Sequence, residues 1–174
     1  MDDLLTGGVA LDEDTQKNRF LTFMVDSESY GLEISVVTEI IGIQEITKIP
    51  ETPDFIKGVI NLRGRVIPVM DVRLRFRKPP LQYDDRTCIV VVDMQKLSVG
   101  LIVDSVSEVL SIQEEDIVPP PEFNTTKNRY VRGIAKTGGS IKMLLDCNRL
   151  LTEDEVAETS KVAAEALQCA AAGA

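Results

Sequence analysis

The amino-acid sequence predicts an all-β fold in which two small β-barrels pack together, followed by an α-helix at the C-terminus. Three observations support this: short apolar runs of strand length recur along the chain, turn-forming residues separate them, and only the C-terminal part has a helical composition. Runs of this length and spacing are typical of small antiparallel barrels. A chain of 174 residues has room for two such barrels that share an interface.

The first part of the chain contains short strand-like runs and one long apolar segment. Four runs precede that segment, at residues 20–25, 30–34, 37–43 and 46–49. The segment from Thr52 to Phe76 reads TPDFIKGVINLRGRVIPVMDVRLRF, and in it two strand-like stretches flank a tight Arg63-Gly64 turn. This segment is therefore predicted to be a β-hairpin that carries a cation at its tip.

A break follows the hairpin and divides the chain. Residues 78–86 contain two prolines and several polar side chains, so they are predicted to be the passage between two barrel subdomains, with strands free to cross between the halves. Five further runs lie at residues 87–92, 97–103, 106–112, 130–135 and 141–145. The folded domain should span residues 19–151. Residues 1–18 are predicted to be a mobile acidic tail, and residues 152–174 a weakly packed helix with a frayed end.

The charge and composition of the chain exclude several classes of function. The formal net charge is -9, which argues against nucleic-acid binding because such surfaces usually carry a basic stripe. No apolar stretch approaches the roughly 20 residues that span a bilayer. The N-terminus is acidic and lacks the basic region of a signal peptide. We therefore expect a cytoplasmic protein that reaches a membrane only through a partner.

Histidine is absent from the chain, and this absence restricts the chemistry that the protein can perform. It excludes a histidine general base, a histidine metal ligand and a phospho-accepting histidine. The three cysteines are widely spaced and form no CxxC pair, so neither a zinc site nor a disulfide framework is predicted. Cys88 and Cys147 are expected to be small core residues. The sequence thus predicts neither a metal nor a cofactor.

Four apolar runs end in an aspartate, and two interpretations are possible. The residues are Asp71, Asp93, Asp104 and Asp146. Gathered together, they could form a metal or acid–base site, for which a carboxylate-based hydrolase is the corresponding function. Separately, each would accept hydrogen bonds from the turn that follows its strand. The second interpretation is favoured because no motif such as GxSxG, GxxxxGK[ST] or HExxH occurs, and we predict that the protein is not an enzyme.

The hairpin turn is suited to recognition rather than to catalysis. An arginine at a turn tip with apolar neighbours, as at Arg63, can anchor an interface or can be a solvated surface charge. Gly58 in the same hairpin permits either a β-bulge or the close approach of a partner. The hairpin is therefore predicted to be a recognition element. The alternative is a small β-barrel module that binds a ligand or nucleic acid, which would need a basic face with aromatic side chains.

Five segments of the chain resemble the CheW-type chemotaxis coupling proteins. They are YGLEISVVTEI, TPDFIKGVINLRGRVIPVMDVRLRF, VGLIVDSVSEVL, PPPEF and YVRGIAK, in the order and spacing of that family, and the match covers about Arg19 to Leu151. Val72 stands where the family usually has leucine. The resemblance implies two intertwined SH3-like five-stranded β-barrels with a C-terminal helix. Related kinase domains and receiver-fused couplers need further domains, so the resemblance indicates a stand-alone coupler.

The resemblance also implies partners and contact residues. Such couplers are non-catalytic scaffolds that link transmembrane chemoreceptors to the chemotaxis histidine kinase in receptor arrays. The positions that match contacts with the cytoplasmic hairpin tip of a receptor are Val37, Glu39, Ile40, Gly58 and Arg63. The positions that match contacts with the regulatory domain of the kinase are Glu122 and Phe123. Val118, just before the prolines, departs from the family pattern, in which a basic residue is frequent there.

Overall fold

The computed structural model describes residues 18–94, 97–119, 130–137, 139–151, 155–159 and 161 of the chain. The strands in this part are β1 Arg19–Val25, β2 Glu28–Glu33, β3 Val37–Gly42, β4 Ile56–Leu62, β5 Arg65–Asp71, β6 Cys88–Met94, β7 Leu97–Val103, β8 Ser105–Ser111, β9 Ile117–Val118, β10 Val131–Thr137 and β11 Ser140–Leu145. A short helix, α1, spans Val72–Arg75. Short 3-10 turns lie at Ile34–Val36, Glu114–Asp116 and Cys147–Arg149. Residues 155–159 and 161 are helical. The predicted all-β class with a C-terminal helix is confirmed.

The strands form two sheets. The first sheet has the order β3-β6-β7-β5-β4, and the second has the order β8-β1-β2-β11-β10-β9. The pairs β5–β7 and β2–β11 are parallel, and the other pairs are antiparallel. The chain passes from the second sheet to the first after β2 and returns after β7. Strands from the two ends of the sequence therefore meet in one sheet.

Residues 78–86 separate two halves of the sequence but not the two sheets. Each half contains a hairpin, an edge strand and a second hairpin, with the two-residue β9 added in the second half. The first hairpin of each half completes the sheet of the other half. This exchange places β6 and β7 between β3 and β5, and it places β1 and β2 between β8 and β11. The predicted passage therefore joins α1 to β6 within the first sheet, and it does not mark a boundary between the sheets.

The largest hydrophobic core lies between the two sheets. Its buried residues on β1, β2, β6 and β7 include Leu21, Phe23, Leu32, Val90, Val92 and Leu101. A second cluster around Ile60 and Ile89 belongs to the first sheet, and a third around Phe20 and Leu144 belongs to the second. Full burial of one such side chain stabilises a fold by roughly 1.5–3 kcal/mol. The shared layer therefore joins the two sheets into one packed unit.

A largely buried ion cluster also connects the two sheets. Arg73 in α1 donates to the carboxylate of Asp104 at 2.6 Å, to that of Asp26 at 3.3 Å, and to the carbonyl oxygen of Pro79 at 2.9 Å. Asp26 belongs to the β1–β2 turn of the second sheet, whereas α1 follows β5 of the first. The side chain of Arg73 is only 7% exposed. Each contact therefore compensates a charge that would be costly to leave without a partner.

The predicted strand at residues 46–49 is wrong. Thr47 makes an isolated bridge with Val59 instead, in which the two residues exchange backbone hydrogen bonds of 2.9 Å each. Val59 lies on β4, which is an edge strand of the first sheet, and the 46–49 segment follows β3 at the opposite edge. The bridge therefore joins the two edges and closes the first sheet into a barrel.

The described part of the C-terminal helix contacts the rest of the chain. In its described part, Val156 packs against the core between the sheets, and Thr159 is buried. The hydroxyl of Thr159 donates to the backbone carbonyl of Glu155 at 2.6 Å. This hydrogen bond lies within the helix, and Val156 supplies the contact with the core. The predicted tails at residues 1–17 and 162–174 lie outside the described residues.

Candidate protein-docking surface

The tip of the β4–β5 hairpin is a two-residue turn, as predicted. Arg63 has a φ of 54° and Gly64 a φ of 84°, so both lie in the left-handed region. Two left-handed residues in succession define the turn type that matches the natural twist of a hairpin. The backbone N–H of Gly64 donates to the side-chain oxygen of Asn61 at 2.9 Å, which holds the turn. The arginine therefore projects from a firmly defined tip.

Arg63 forms an ion pair with Glu39 on β3. The guanidinium Nη2 lies 3.1 Å from the carboxylate Oε2, and the side chains are 80% and 25% exposed, respectively. An ion pair this exposed contributes only about 0–1 kcal/mol to stability. The pair therefore orients Arg63 without sequestering it, and a partner can contact both charges. The sequence does not predict this pair, because Glu39 lies on β3 and Arg63 in the β4–β5 turn, and no local pattern joins them.

A β-bulge in β3 determines which side chains reach the surface beside this ion pair. Val37 pairs with Val92, but Glu39 pairs with Val91, so one residue is inserted into β3. The inserted Thr38 donates its hydroxyl to the Val91 carbonyl at 3.0 Å. Such an insertion changes the alternation of side chains between the two faces of the strand.

The bulge leaves one apolar side chain strongly exposed next to the ion pair. Val37 is half-buried against the core between the sheets, and Ile41 is half-buried against the core of the first sheet. Ile40 is 42% exposed, which makes it one of the large apolar side chains on the surface of the described chain. The structure therefore pairs Glu39 with Arg63, while Ile40, the next residue of β3, is exposed on the other face of the strand. Val37 is the first residue of the same strand.

Gly58 allows two backbone segments of the chain to approach each other closely. Gly58 is buried, its φ is 145°, and β4 has a register irregularity between Ile56 and Gly58. A Cβ atom added here would lie 2.1 Å from the carbonyl oxygen of Thr47. The missing side chain is therefore needed for the Thr47–Val59 bridge. The predicted receptor contact at Gly58 stays a prediction, and the structure adds a role for this glycine in barrel closure.

The two residues predicted for kinase contact cannot be placed. Glu122 and Phe123 lie outside the described residues. The described chain before this gap includes Val118 on β9, which is 46% exposed and pairs with Ile134. An apolar side chain is thus exposed on the edge strand of the second sheet.

The four strand-end aspartates are mostly engaged locally, as the favoured interpretation predicts. Asp71 accepts from the backbone N–H of Arg73 and from the Tyr83 hydroxyl, and Asp146 accepts from the backbone N–H of Asn148. Asp93 accepts from the hydroxyl of Ser98 across the β6–β7 turn at 2.9 Å, whereas Asp104 belongs to the ion cluster of Arg73. Each carboxylate has its own partners. In the part of the chain that the structure describes, no group of three or more acidic or cysteine side chains could hold a metal ion.

The environment of Cys147 makes it unsuitable as a nucleophile. Burial, with a further contribution from the carboxylate of Asp146, raises the pKa of the Cys147 thiol to about 11. At neutral pH this thiol is protonated, and only a thiolate is an effective nucleophile. The prediction that Cys147 is a core residue is confirmed by its burial.

We expect the free energy of unfolding to fall as the pH rises above about 10. Burial, followed by the hydrogen bond to Glu28, raises the pKa of Tyr30 above its ordinary value of 10.0. Burial and the hydrogen bond to Asp71 raise the pKa of Tyr83 in the same way. Between the ordinary and the raised values, the unfolded chain releases phenolic protons that the native chain keeps. The buried Tyr30 then lowers the free energy of unfolding by up to about 1.4 kcal/mol per pH unit, and the partly exposed Tyr83 by less because solvent screens its contacts.

Urea unfolding at several pH values between about 8 and 11 measures this effect. The contribution of the two tyrosines to the free energy of unfolding is fully present below pH 10, and it is lost as the pH rises through their raised pKa values. Tyr83→Phe removes one of the two groups, so its unfolding free energy should depend less steeply on pH. An identical pH dependence in Tyr83→Phe and the natural chain would contradict the assignment.

No helix among the described residues combines the length and the apolar character needed to cross a bilayer.

The chemistry of the described site consists of an exposed cation, a carboxylate and an apolar side chain at a hairpin tip and an adjacent edge strand. These features define a two-barrel protein-binding module.

The chain belongs to the CheW-like domain family, whose model matches residues 19–155. It is 40% identical over 151 residues to the chemotaxis protein CheW of Klebsiella aerogenes, an alignment that covers 86% of this chain and 91% of the relative. It is 31% identical over 137 residues to the chemotaxis protein CheW of Bacillus subtilis, covering 78% and 88% of the two chains. The crystal structure of the scaffolding protein TtCheW from Thermoanaerobacter tengcongensis matches with a TM-score of 0.74 and 39% identity, covering 79% of this chain and 94% of that chain.

Family membership confirms three of the predictions. The architecture is the pair of SH3-like barrels of this family, formed here by the two intertwined sheets. The protein is a chemotaxis scaffold and not an enzyme. Its contacts are therefore with other proteins of the chemotaxis pathway.

Proposed function

We propose that this protein couples the cytoplasmic hairpin tips of transmembrane chemoreceptors to the regulatory domain of the chemotaxis histidine kinase. As an adaptor, it would support the assembly of receptor arrays and the control of the kinase. The observation that carries the proposal is the position of Arg63, which is 80% exposed at the tip of a well-defined hairpin. An exposed arginine on a rigid element is suited to anchoring a protein interface.

The receptor-binding surface proposed here comprises Val37, Glu39, Ile40, Gly58 and Arg63. Ile40 would pack against apolar side chains of the receptor helices, with Val37 supporting it from the half-buried end of β3. Arg63 and Glu39 would exchange part of their mutual contact for polar groups of the receptor. Because the two charges compensate each other in the free protein, a partner with both a donor and an acceptor fits best. Gly58 supports this surface from within the barrel.

The kinase-binding surface is proposed from the resemblance alone, with Glu122 and Phe123 as its members. The adaptor would reside in the cytoplasm and be recruited to membrane arrays through its partners. Interfaces of transient signalling pairs are often below about 1,200 Å². Array formation would therefore depend on many modest contacts acting together, since linked binding events raise the overall avidity.

Co-sedimentation tests this function directly. The purified chain is mixed with receptor signalling domains carrying the hairpin tip, with the kinase, or with both. We expect the chain to sediment with the receptor alone and to bring more kinase into the pellet when all three are present. A chain that sediments with neither partner would refute the adaptor function.

A further inference from the structure

We propose that Arg75 and Glu155 form a latch by which the C-terminal helix positions the base of the β4–β5 hairpin. The inference concerns a contact away from the docking surface, and its consequence for partner binding rests on the proposed function. Arg75 is the last residue of α1, which follows β5 directly. Its side chain reaches three segments that are distant in the sequence.

Each of the three guanidinium nitrogens of Arg75 donates a hydrogen bond. Its Nη1 and Nη2 donate to the two carboxylate oxygens of Glu155 at 3.0 and 2.8 Å, and its Nε donates to the carbonyl oxygen of Leu150 at 2.8 Å. Such a two-pronged pair is stronger and more directional than a single charge contact. The side chains of Arg75 and Glu155 are 11% and 21% exposed, so this pair is far better shielded from water than the pair at Arg63.

Two aromatic rings complete the surroundings of the guanidinium. Its central carbon lies 4.4 Å from the centre of the Phe55 ring and 5.1 Å from the centre of the Tyr130 ring. A guanidinium at these distances is attracted to an aromatic ring. Tyr130 precedes β10 of the second sheet, whereas Phe55 precedes β4 of the first. Arg75 thus connects the C-terminal helix to both sheets.

The contact with Phe55 joins this latch to the hairpin. The carbonyl oxygen of Phe55 accepts from the backbone N–H of Asp71 at 2.7 Å, which ties the start of β4 to the end of β5. Phe55 and Arg75 therefore lie at the base of the hairpin, and Arg63 lies at its tip. A displacement of Arg75 would move the ends of both hairpin strands together.

The helix contributes contacts on its own side of the latch. Val156 packs against the core between the sheets, and Thr159, one turn after Glu155, is buried. Loss of the carboxylate charge at Glu155 would leave the Arg75 charge without its main partner in a shielded place, which is costly. The helix is then expected to open locally while the two sheets stay folded, because strand side chains form most of their shared core.

Amide hydrogen exchange on the full-length chain tests the latch. In Glu155→Gln we expect amide exchange to be roughly tenfold faster or more at helix residues 155–159, at the start of β4 and at the end of β5. The amides of β6 and β7 should keep their exchange rates. Glu158→Gln is the matched control, because Glu158 lies on the same helix and is exposed. It should leave all of these rates unchanged. Arg75→Lys, which keeps the charge but cannot make the two-pronged contact, should give an intermediate effect.

Each outcome bears on a separate part of the inference. Equal exchange in Glu155→Gln and Glu158→Gln would overturn the latch, and faster exchange confined to the helix would overturn its action on the hairpin. If Glu155→Gln did not fold, Arg75→Lys would carry the same comparison. Receptor binding, measured separately, should weaken several-fold in Glu155→Gln. Failure of the natural chain to bind receptor would refute the proposed function but would leave the exchange result standing.

Discussion

Replacement of Arg63 by glutamate is expected to abolish most receptor binding while the protein remains folded. The change places two carboxylates at the hairpin tip, where an ion pair now exists at 3.1 Å. Because the site is exposed, the cost to the free energy of unfolding should be within about 0.5 kcal/mol. A partner that meets Arg63 would instead face a repulsive charge. We expect a loss of about 2–3 kcal/mol in binding, or roughly 30- to 150-fold in affinity.

A charge swap separates the role of Arg63 in binding from its role in orienting the hairpin. The double variant Arg63→Glu with Glu39→Arg restores an opposite-charge pair between the same positions but reverses its direction. If the partner contacts Arg63, the double variant will bind as poorly as the single variant. Normal binding by the double variant would show that the pair only holds the hairpin in place. Arg86→Glu is the control, since Arg86 is an exposed arginine outside the hairpin.

Replacement of Gly58 by alanine should be the most destabilising of the single changes considered. The added Cβ would lie 2.1 Å from the carbonyl oxygen and 2.7 Å from the carbonyl carbon of Thr47, and the φ of 145° is unfavourable for alanine. The chain must then open the Thr47–Val59 bridge that closes the first barrel. We expect a loss of about 2–4 kcal/mol in the free energy of unfolding, measured by urea titration.

Gly42→Ala is the matched control for this prediction. Gly42 ends β3 in the same sheet, and a Cβ added there would meet no atom within 4 Å. Its effect should be within about 0.5 kcal/mol. Equal stability of the two variants would contradict the closure role of Gly58. A Gly58→Ala chain that is destabilised and also binds receptor weakly would be explained by displacement of the hairpin, without any direct contact at Gly58.

The parts of the site that depend on short-range pattern could be predicted from the sequence. Alternating apolar residues and the Arg63-Gly64 pair identify the hairpin because a two-residue turn needs left-handed backbone, which glycine adopts easily. Cys147 was placed in the core by its position beside an apolar run. The strand-end aspartates were assigned to local hydrogen bonds because a short acceptor side chain can reach the following backbone N–H.

The parts that depend on distant contacts could not be predicted in this way. Nothing in the sequence near Gly58 shows that Thr47 will approach it. A glycine required for barrel closure therefore has the same local sequence pattern as a glycine required for contact with a partner. The exchange of hairpins between the two halves has the same cause, because β6 and β7 would show the same apolar pattern in either sheet. The pairing of Arg75 with Glu155 is a distant contact of the same kind, because strands β6 to β11 lie between the two residues in the sequence.

The rate of kinase autophosphorylation in the presence of receptor tests the central claim most directly. Receptor-containing membranes and the kinase are assayed with no adaptor, with the natural chain, with Arg63→Glu and with Arg86→Glu. The adaptor function predicts that the natural chain and Arg86→Glu raise the phosphorylation rate only when receptor is present, and that Arg63→Glu does not. A rate that is the same with and without the natural chain, under conditions where receptor and kinase are both active, would contradict it.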